Sequence, residues 1–91
     1  MSEFRLKIFQ CVAKHLSYTK ASEELIISQP AVSKNIKKLE GYYEVRLFER
    51  SRSKVELTPA GEIFLELSNE VLSRYETLLS AMHNFNGNSS R

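Results

Sequence analysis

The strongest constraint on this chain lies in Ser17–Glu40, where two serines, Ser17 and Ser28, each precede an apolar-periodic run. A serine hydroxyl placed there accepts a hydrogen bond from an otherwise unpaired first-turn amide, so the stretch predicts two short helices joined by a tight turn. Pro30 fits this placement, because just inside a helix start it removes no helical bond, whereas later it would break the helix. Beyond Ser28, Val32, Ile36 and Leu39 recur at steps of four and three and form one buried stripe. Pro30, Ser33, Lys34, Lys37 and Lys38 fall on the other faces. Ala21 is small enough to let the two helices approach, Leu25 anchors the core, and at least one of Ile26 and Ile27 must be buried in the turn. This pattern is that of a helix-turn-helix with a basic second helix.

Around this unit the chain reads as mainly α. Ser2 caps a first helix to about Leu16, with Phe9, Val12, Ala13 and Leu16 in one stripe and Phe4 and Ile8 beside it. Val45–Arg50 and Lys54–Leu57 alternate as two short strands joined around Ser51–Ser53, a wing whose turn is made basic by Arg50, Arg52 and Lys54, of which Arg50 more often supports the wing than meets DNA. Thr58 and Pro59 open a long helix in which Phe64, Val71, Leu78 and Phe85 repeat every seven residues beside Leu65, Leu72 and Leu79. Tyr75 and Met82 widen that arc. So small a domain has few elements to cover two apolar seams; one is expected on the chain's own first helix and the other on the same helix of a second chain, the alternative being that both pack within the one domain. The expected organisation is a winged helix-turn-helix over residues 1–58, a dimerisation helix over 59–85 and a flexible tail over 86–91, rich in Asn, Ser and Gly.

Charge supports a nucleic-acid partner through its distribution more than its total. The net charge is +2, yet residues 1–58 hold 11 Lys and Arg against 7 Glu, and residues 59–91 hold 2 against 4. Positive charge gathered on the helix-turn-helix is what a phosphate backbone rewards, although a solvated basic face has the same composition. Ser17, Thr19, Lys20, Ser28, Gln29, Pro30, Ser33, Lys34, Lys37, Lys38, Arg50, Arg52 and Lys54 are the candidate DNA-binding residues. Thr19 and Lys20 stand at a helix start where they meet a phosphate or where Thr19 only assists capping. Gln29, Pro30, Ser33 and Lys34 occupy the turns nearest a groove floor, for base contacts or, for Gln29 and Lys34, backbone contacts. Phe64, Leu65, Val71, Leu72, Tyr75, Leu78, Leu79 and Met82 are the candidate dimerisation residues.

Other functions find little support. There is no aspartate, and three scattered glycines cannot cradle a phosphate. Cys11 reads as a small core residue, and His15 and His83 are too isolated for a metal pair, so no cofactor, metal or enzymatic role is expected. The first residues lack the order of a signal peptide and no apolar run is long enough to span a membrane, which leads to the expectation of a cytoplasmic protein. A winged helix acting only as a protein-interaction module would use the same apolar faces without a basic helix, and Lys34, Lys37 and Lys38 favour DNA.

The motif Ser-Tyr-Thr-x-Ala-Ser-x-x-Leu-x-x-Ser-Gln-Pro-Ala-x-Ser-x-x-Ile-x-x-Leu-Glu resembles the amino-terminal signature of the LysR-type bacterial transcriptional regulators. Leu47-Phe48-x-Arg50 and Val55-x-Leu57-Thr58-x-Ala60-Gly61 continue it, so the resemblance runs from about Leu6 to Gly61. It implies binding to an inverted-repeat operator in duplex DNA, homodimerisation by antiparallel linker helices with a higher oligomer possible in the full-length protein, and a longer protein whose carboxy-terminal domain senses a small-molecule effector. Two departures matter. Tyr43 and Glu44 replace a usual leucine and helix-terminating glycine, so either Glu44 accepts a left-handed conformation or the helix ends differently. Ser53 replaces a wing arginine that reaches the minor groove, leaving that role to Arg52 or Lys54, or the wing to phosphate contacts alone.

Overall fold

A computed structural model describes residues 2–89, with side chains through Asn86. Its elements are α1 (Glu3–His15), α2 (Tyr18–Leu25), α3 (Gln29–Tyr43), β1 (Phe48–Ser51), β2 (Lys54–Leu57) and α4 (Pro59–Ser89). Each of the first three helices starts on the serine its sequence supplies. Ser2, Ser17 and Ser28 hydroxyls accept from the amides of Arg5, Lys20 and Ala31 at 3.2, 3.0 and 3.2 Å. Thr58 does more than cap α4: its Oγ1 accepts from the Gly61 amide at 2.9 Å and donates to the Arg46 carbonyl at 2.6 Å. One hydroxyl therefore ties the start of α4 to the segment entering the wing.

The core lies where α1, α2, α3 and the foot of α4 meet the wing. Ile8, Phe9, Val12, Ala21, Val32, Ile36, Leu39, Leu47 and Phe48 are fully or almost fully buried there. Phe9 is central, its ring 5.2 Å from that of Phe48 and 4.8 Å from that of Phe64. Gly61 is dictated by packing: a Cβ at that position would stand 2.1 Å from the Leu47 carbonyl oxygen, so only glycine allows α4 to close against the strand entry. The wing is a single antiparallel pair in the register Phe48↔Leu57, Glu49↔Glu56, Arg50↔Val55 and Ser51↔Lys54, with Arg52 and Ser53 as its turn.

Several expectations need correcting. Leu16 and Phe4 are exposed, and α1 instead buries Leu6 beside Ile8, Phe9 and Val12, with Cys11 in the core as its sequence suggested. Leu16 lies past the end of the helix in a left-handed cap, its N–H donating to the Val12 carbonyl, so its side chain leaves the stripe. Of the turn pair, Ile27 packs partly against the core and Ile26 is exposed. The first strand runs over Phe48–Ser51 and not Val45–Arg50, because the Val45 N–H donates to the Glu40 carbonyl and the Leu47 N–H to the Glu40 carboxylate. The long helix does not stop at Phe85; α4 continues to Ser89, and residues 90 and 91 of the expected tail lie outside the described residues. At Glu44 the open choice resolves to a left-handed residue, φ 56°, closing α3 after Tyr43.

Candidate nucleic-acid interface

The buried stripe of α3 decides what the helix shows to solvent. With Val32, Ile36 and Leu39 inward, Gln29, Pro30, Lys34, Lys37 and Lys38 are exposed and Ser33 is half-buried. Pro30, Ser33, Lys34, Lys37 and Lys38 border one shallow groove along the helix. A second cleft adjoins it, in which Ser17, Thr19 and Gln29 meet Arg50, Arg52 and Lys54 of the wing. Gln29 thus stands where the start of α3, the start of α2 and the wing converge, three elements that the sequence places far apart.

The candidate residues differ in how free they are. Ser17 and Ser28 are engaged in capping, which aims the first amides of α2 and α3 outward beside them. Thr19 and Lys20 are exposed on the first turn of α2. Lys54 pairs with Glu56 at 3.6 Å. Among the described residues, Lys20, Lys34, Lys37, Lys38 and Arg52 have no carboxylate partner, so their charge is available to a phosphate. Arg50 is held differently: its guanidinium sits 4.3 Å from the centre of the Tyr18 ring, a cation–π contact that fixes its stem between wing and α2. Burial pushes the Tyr18 phenol above its ordinary range, with Arg50 opposing that shift.

Three positioning residues escape a reading by pattern alone. Asn35 accepts from Arg5 Nε at 3.0 Å and donates to the Ala31 carbonyl at 2.8 Å, bonding α1 to the middle of α3. The signal was a poor helix former inside a helix. Glu40 Oε2 accepts from the amides of Leu47 and Phe48 at 2.8 and 3.3 Å and lies 3.7 Å from Arg46 Nε, fixing where the wing begins. Tyr18, noted only as part of the motif, is the platform for Arg50. His15, too isolated in the sequence to suggest a metal pair, has the Glu24 carboxylate at 2.7 Å.

Along α4 the eight candidate dimerisation residues divide by position. Phe64 and Leu65 pack against the chain's own core and Leu72 is only 4% exposed, covered within the monomer. Val71, Tyr75, Leu78, Leu79 and Met82 remain exposed, together with Phe85. From Val71 outward the helix thus leaves a run of apolar side chains open, while Ile63 and Leu67 are exposed nearer its start.

Comparison with known proteins places this arrangement. Residues 4–62 match the family described as bacterial regulatory helix-turn-helix protein, lysR family. Over 79 residues the chain is 39% identical to a probable RuBisCO transcriptional regulator of Thalassiosira pseudonana, covering 87% of this chain and 26% of that protein. Over 61 residues it is 51% identical to the RuBisCO operon transcriptional regulator of Allochromatium vinosum, covering 66% of this chain and 20% of that protein. The chain thus spans about a quarter or less of the length of these curated relatives. Its fold is similar to that in the crystal structure of a BenM_DBD/catB site 1 DNA complex, with a TM-score of 0.90 and 31% identity over 94% of this chain and 96% of that one. Because the family match takes in all of the helix-turn-helix and the wing, and the structural likeness carries on along α4, the chain belongs to the lysR family of bacterial regulatory helix-turn-helix proteins, transcriptional regulators and not enzymes.

Proposed function

We propose that this chain binds duplex DNA sequence-specifically for a longer transcriptional regulator, with α3 in the major groove and the wing on the flanking backbone or minor groove. The observation that carries this reading is that Lys34, Lys37 and Lys38, without carboxylate partners among the described residues, border one groove on α3, and that the neighbouring Gln29 lines a second cleft with Arg52 and the start of α2. Phosphates are the partner for such charge, while Gln29, Pro30, Ser33 and Lys34 offer hydrogen bonds and apolar contact to base edges. Lys34 contacts a guanine as a point charge and lacks the bidentate fork of an arginine. Two copies joined through α4 would read an inverted repeat, and a small-molecule effector would act on a further domain. Among the described residues no helix is long and apolar enough to cross a membrane, which agrees with a regulator working in the cytoplasm.

Titration of labelled duplex at several salt concentrations tests the proposal. Log affinity should fall linearly with log salt, and Lys38→Ala should flatten the slope by about one unit while weakening specific and random duplex alike. Gln29→Ala and Ser33→Ala should instead lose discrimination at one or two base pairs by about 1–3 kcal/mol each. A salt-independent affinity would overturn the DNA reading, and uniform losses from Gln29→Ala and Ser33→Ala would move those side chains from bases to backbone.

A further inference from the structure

Where the end of α1 meets the last turn of α2, three side chains with metal-binding donors converge. Cys11 and His15 are one helical turn apart and so share a face of α1, while Glu24 comes from the last turn of α2. The Cys11 thiol, a His15 ring nitrogen and a Glu24 carboxylate oxygen all lie within 4.8 Å of one another, the one such grouping among the described residues. We infer that Cys11, His15 and Glu24 form a three-ligand site for a divalent transition ion of the zinc type, clamping α1 to the first helix of the helix-turn-helix.

The geometry is close to what such an ion requires. Bonds of about 2.3 Å to sulfur and about 2.0–2.2 Å to nitrogen and oxygen, arranged tetrahedrally, put ligand atoms roughly 3.3–3.8 Å apart. The His15–Glu24 pair, now 2.7 Å, has to open by about half an ångström or slightly more, and the remaining separations have to close by at most about 1–1.5 Å. Side-chain torsions can supply both movements, since Glu24 is exposed and His15 half-buried while only Cys11 is held in the core. A sulfur, nitrogen and oxygen set selects a borderline ion such as zinc over magnesium or calcium, which take oxygen ligands. The fourth position has an opening: Cys11 and Glu24 border a cleft between α1, α2 and α4 from which a water can approach.

Binding exchanges existing bonds without redox chemistry. The thiol S–H breaks, its proton leaves to solvent and the thiolate sulfur bonds the ion, while His15 Nε2, which now donates to the Glu24 carboxylate, gives up its proton and the ring keeps one on Nδ1, so that the Nε2 lone pair faces the ion. Lys14, whose ammonium now lies 3.2 Å from the same Glu24 oxygen, is exposed and swings away as the cation takes that oxygen. None of the three ligands belongs to the basic surface, so the site does not depend on the DNA reading.

The experiment is titration of the chain with Co(II), whose thiolate-to-metal charge-transfer absorption reports a cysteine ligand directly, followed by displacement with Zn(II). A single equivalent should produce that absorption, and excess Zn(II) should bleach it and raise the melting temperature. Cys11→Ala should abolish the band. Glu24→Gln and His15→Gln, both on accessible side chains, should weaken Co(II) binding about ten-fold or more while the chain stays folded. His83→Gln, on distant α4, should change nothing. Absence of a thiolate band at millimolar Co(II), or equal Co(II) affinity in the native chain and both accessible variants, would overturn the inference.

Discussion

Leu16, Ile26 and Glu44 all adopt positive φ, and each follows the last turn of a helix, so α1, α2 and α3 end by the same device without a glycine. A non-glycine residue there costs about 1–2 kcal/mol through contact of Cβ with the following carbonyl. Ile26 has the least in return, being β-branched and 88% exposed. Ile26→Gly is therefore expected to raise stability by about 0.5–1 kcal/mol after allowing for the greater freedom of glycine in the unfolded chain. Denaturant unfolding with an unchanged slope and a higher midpoint would show it; a lower midpoint would mean that Ile26 has packing its exposure does not reveal. Glu24 offers a separate test. Bonds from His15 and then Lys14 hold its carboxyl at about 2, well below its ordinary value of 4.5. The folded state thus binds fewer protons than the unfolded state between these values. The stabilisation is complete above about pH 5 and disappears as pH falls toward 2. The melting temperature of Glu24→Gln should accordingly sit below that of the native chain at neutral pH and meet it near pH 2. A gap that stays constant with pH would show that the carboxylate charge is not responsible.

A single largely covered carboxylate holds the entry to the wing. Glu40 is mostly covered, and its Oε2 takes both the Leu47 and Phe48 amides. Hydrogen bonds to a charged acceptor are worth about 1.5–3 kcal/mol each when one partner is removed. Glu40→Ala should destabilise the fold by about 2–4 kcal/mol, the two losses being only partly additive. It should also accelerate amide exchange at Leu47 and Phe48 before it does so in α1. Uniform exchange across the chain would assign Glu40 a general and not a wing-specific role. This contact also marks how far the sequence could be read. The serine caps, the Thr58-Pro59 start and the Val32, Ile36, Leu39 stripe are local, encoded within four to seven residues, and all were legible. Glu40 was quoted within a motif, yet its partners are seven and eight residues on and become acceptable only once α3 turns back through Glu44. Leu16 misled for a related reason: periodicity counts it in the stripe, while the left-handed cap ends the periodicity one residue earlier. Likewise the Gln29–Arg52 neighbourhood and the Cys11, His15, Glu24 cluster arise only when separate elements pack together.

With a longest dimension of 58 Å against 25 and 19 Å, the chain is drawn out along α4. The helix is anchored at its foot through Ala60, Phe64, Leu65 and Leu72, and from residue 73 to 86 every position but Ala81 is exposed. Val71, Tyr75, Leu78, Met82 and Phe85 are spaced four, three, four and three residues apart, a seam of the kind that interlocks with another helix. Leu79 lies beside it, and all six are exposed in the single chain. A second copy of the same helix would supply a self-complementary cover, and antiparallel pairing would put the two α3 helices at opposite ends of the assembly as a two-fold repeat in DNA requires. Leu79→Glu should separate the copies without unfolding either, because in the monomer this side chain already stands in water. Leu72→Glu should instead unfold the chain, because it leaves a charge in the contact with α1. Sedimentation at micromolar concentration should give twice the chain mass for the native protein and the chain mass for Leu79→Glu, with helical circular dichroism largely preserved. The same variant should bind an inverted repeat no more tightly than a single half-site. A native chain that sediments as a monomer, or a Leu79→Glu chain that remains dimeric, would rule out this seam as the interface.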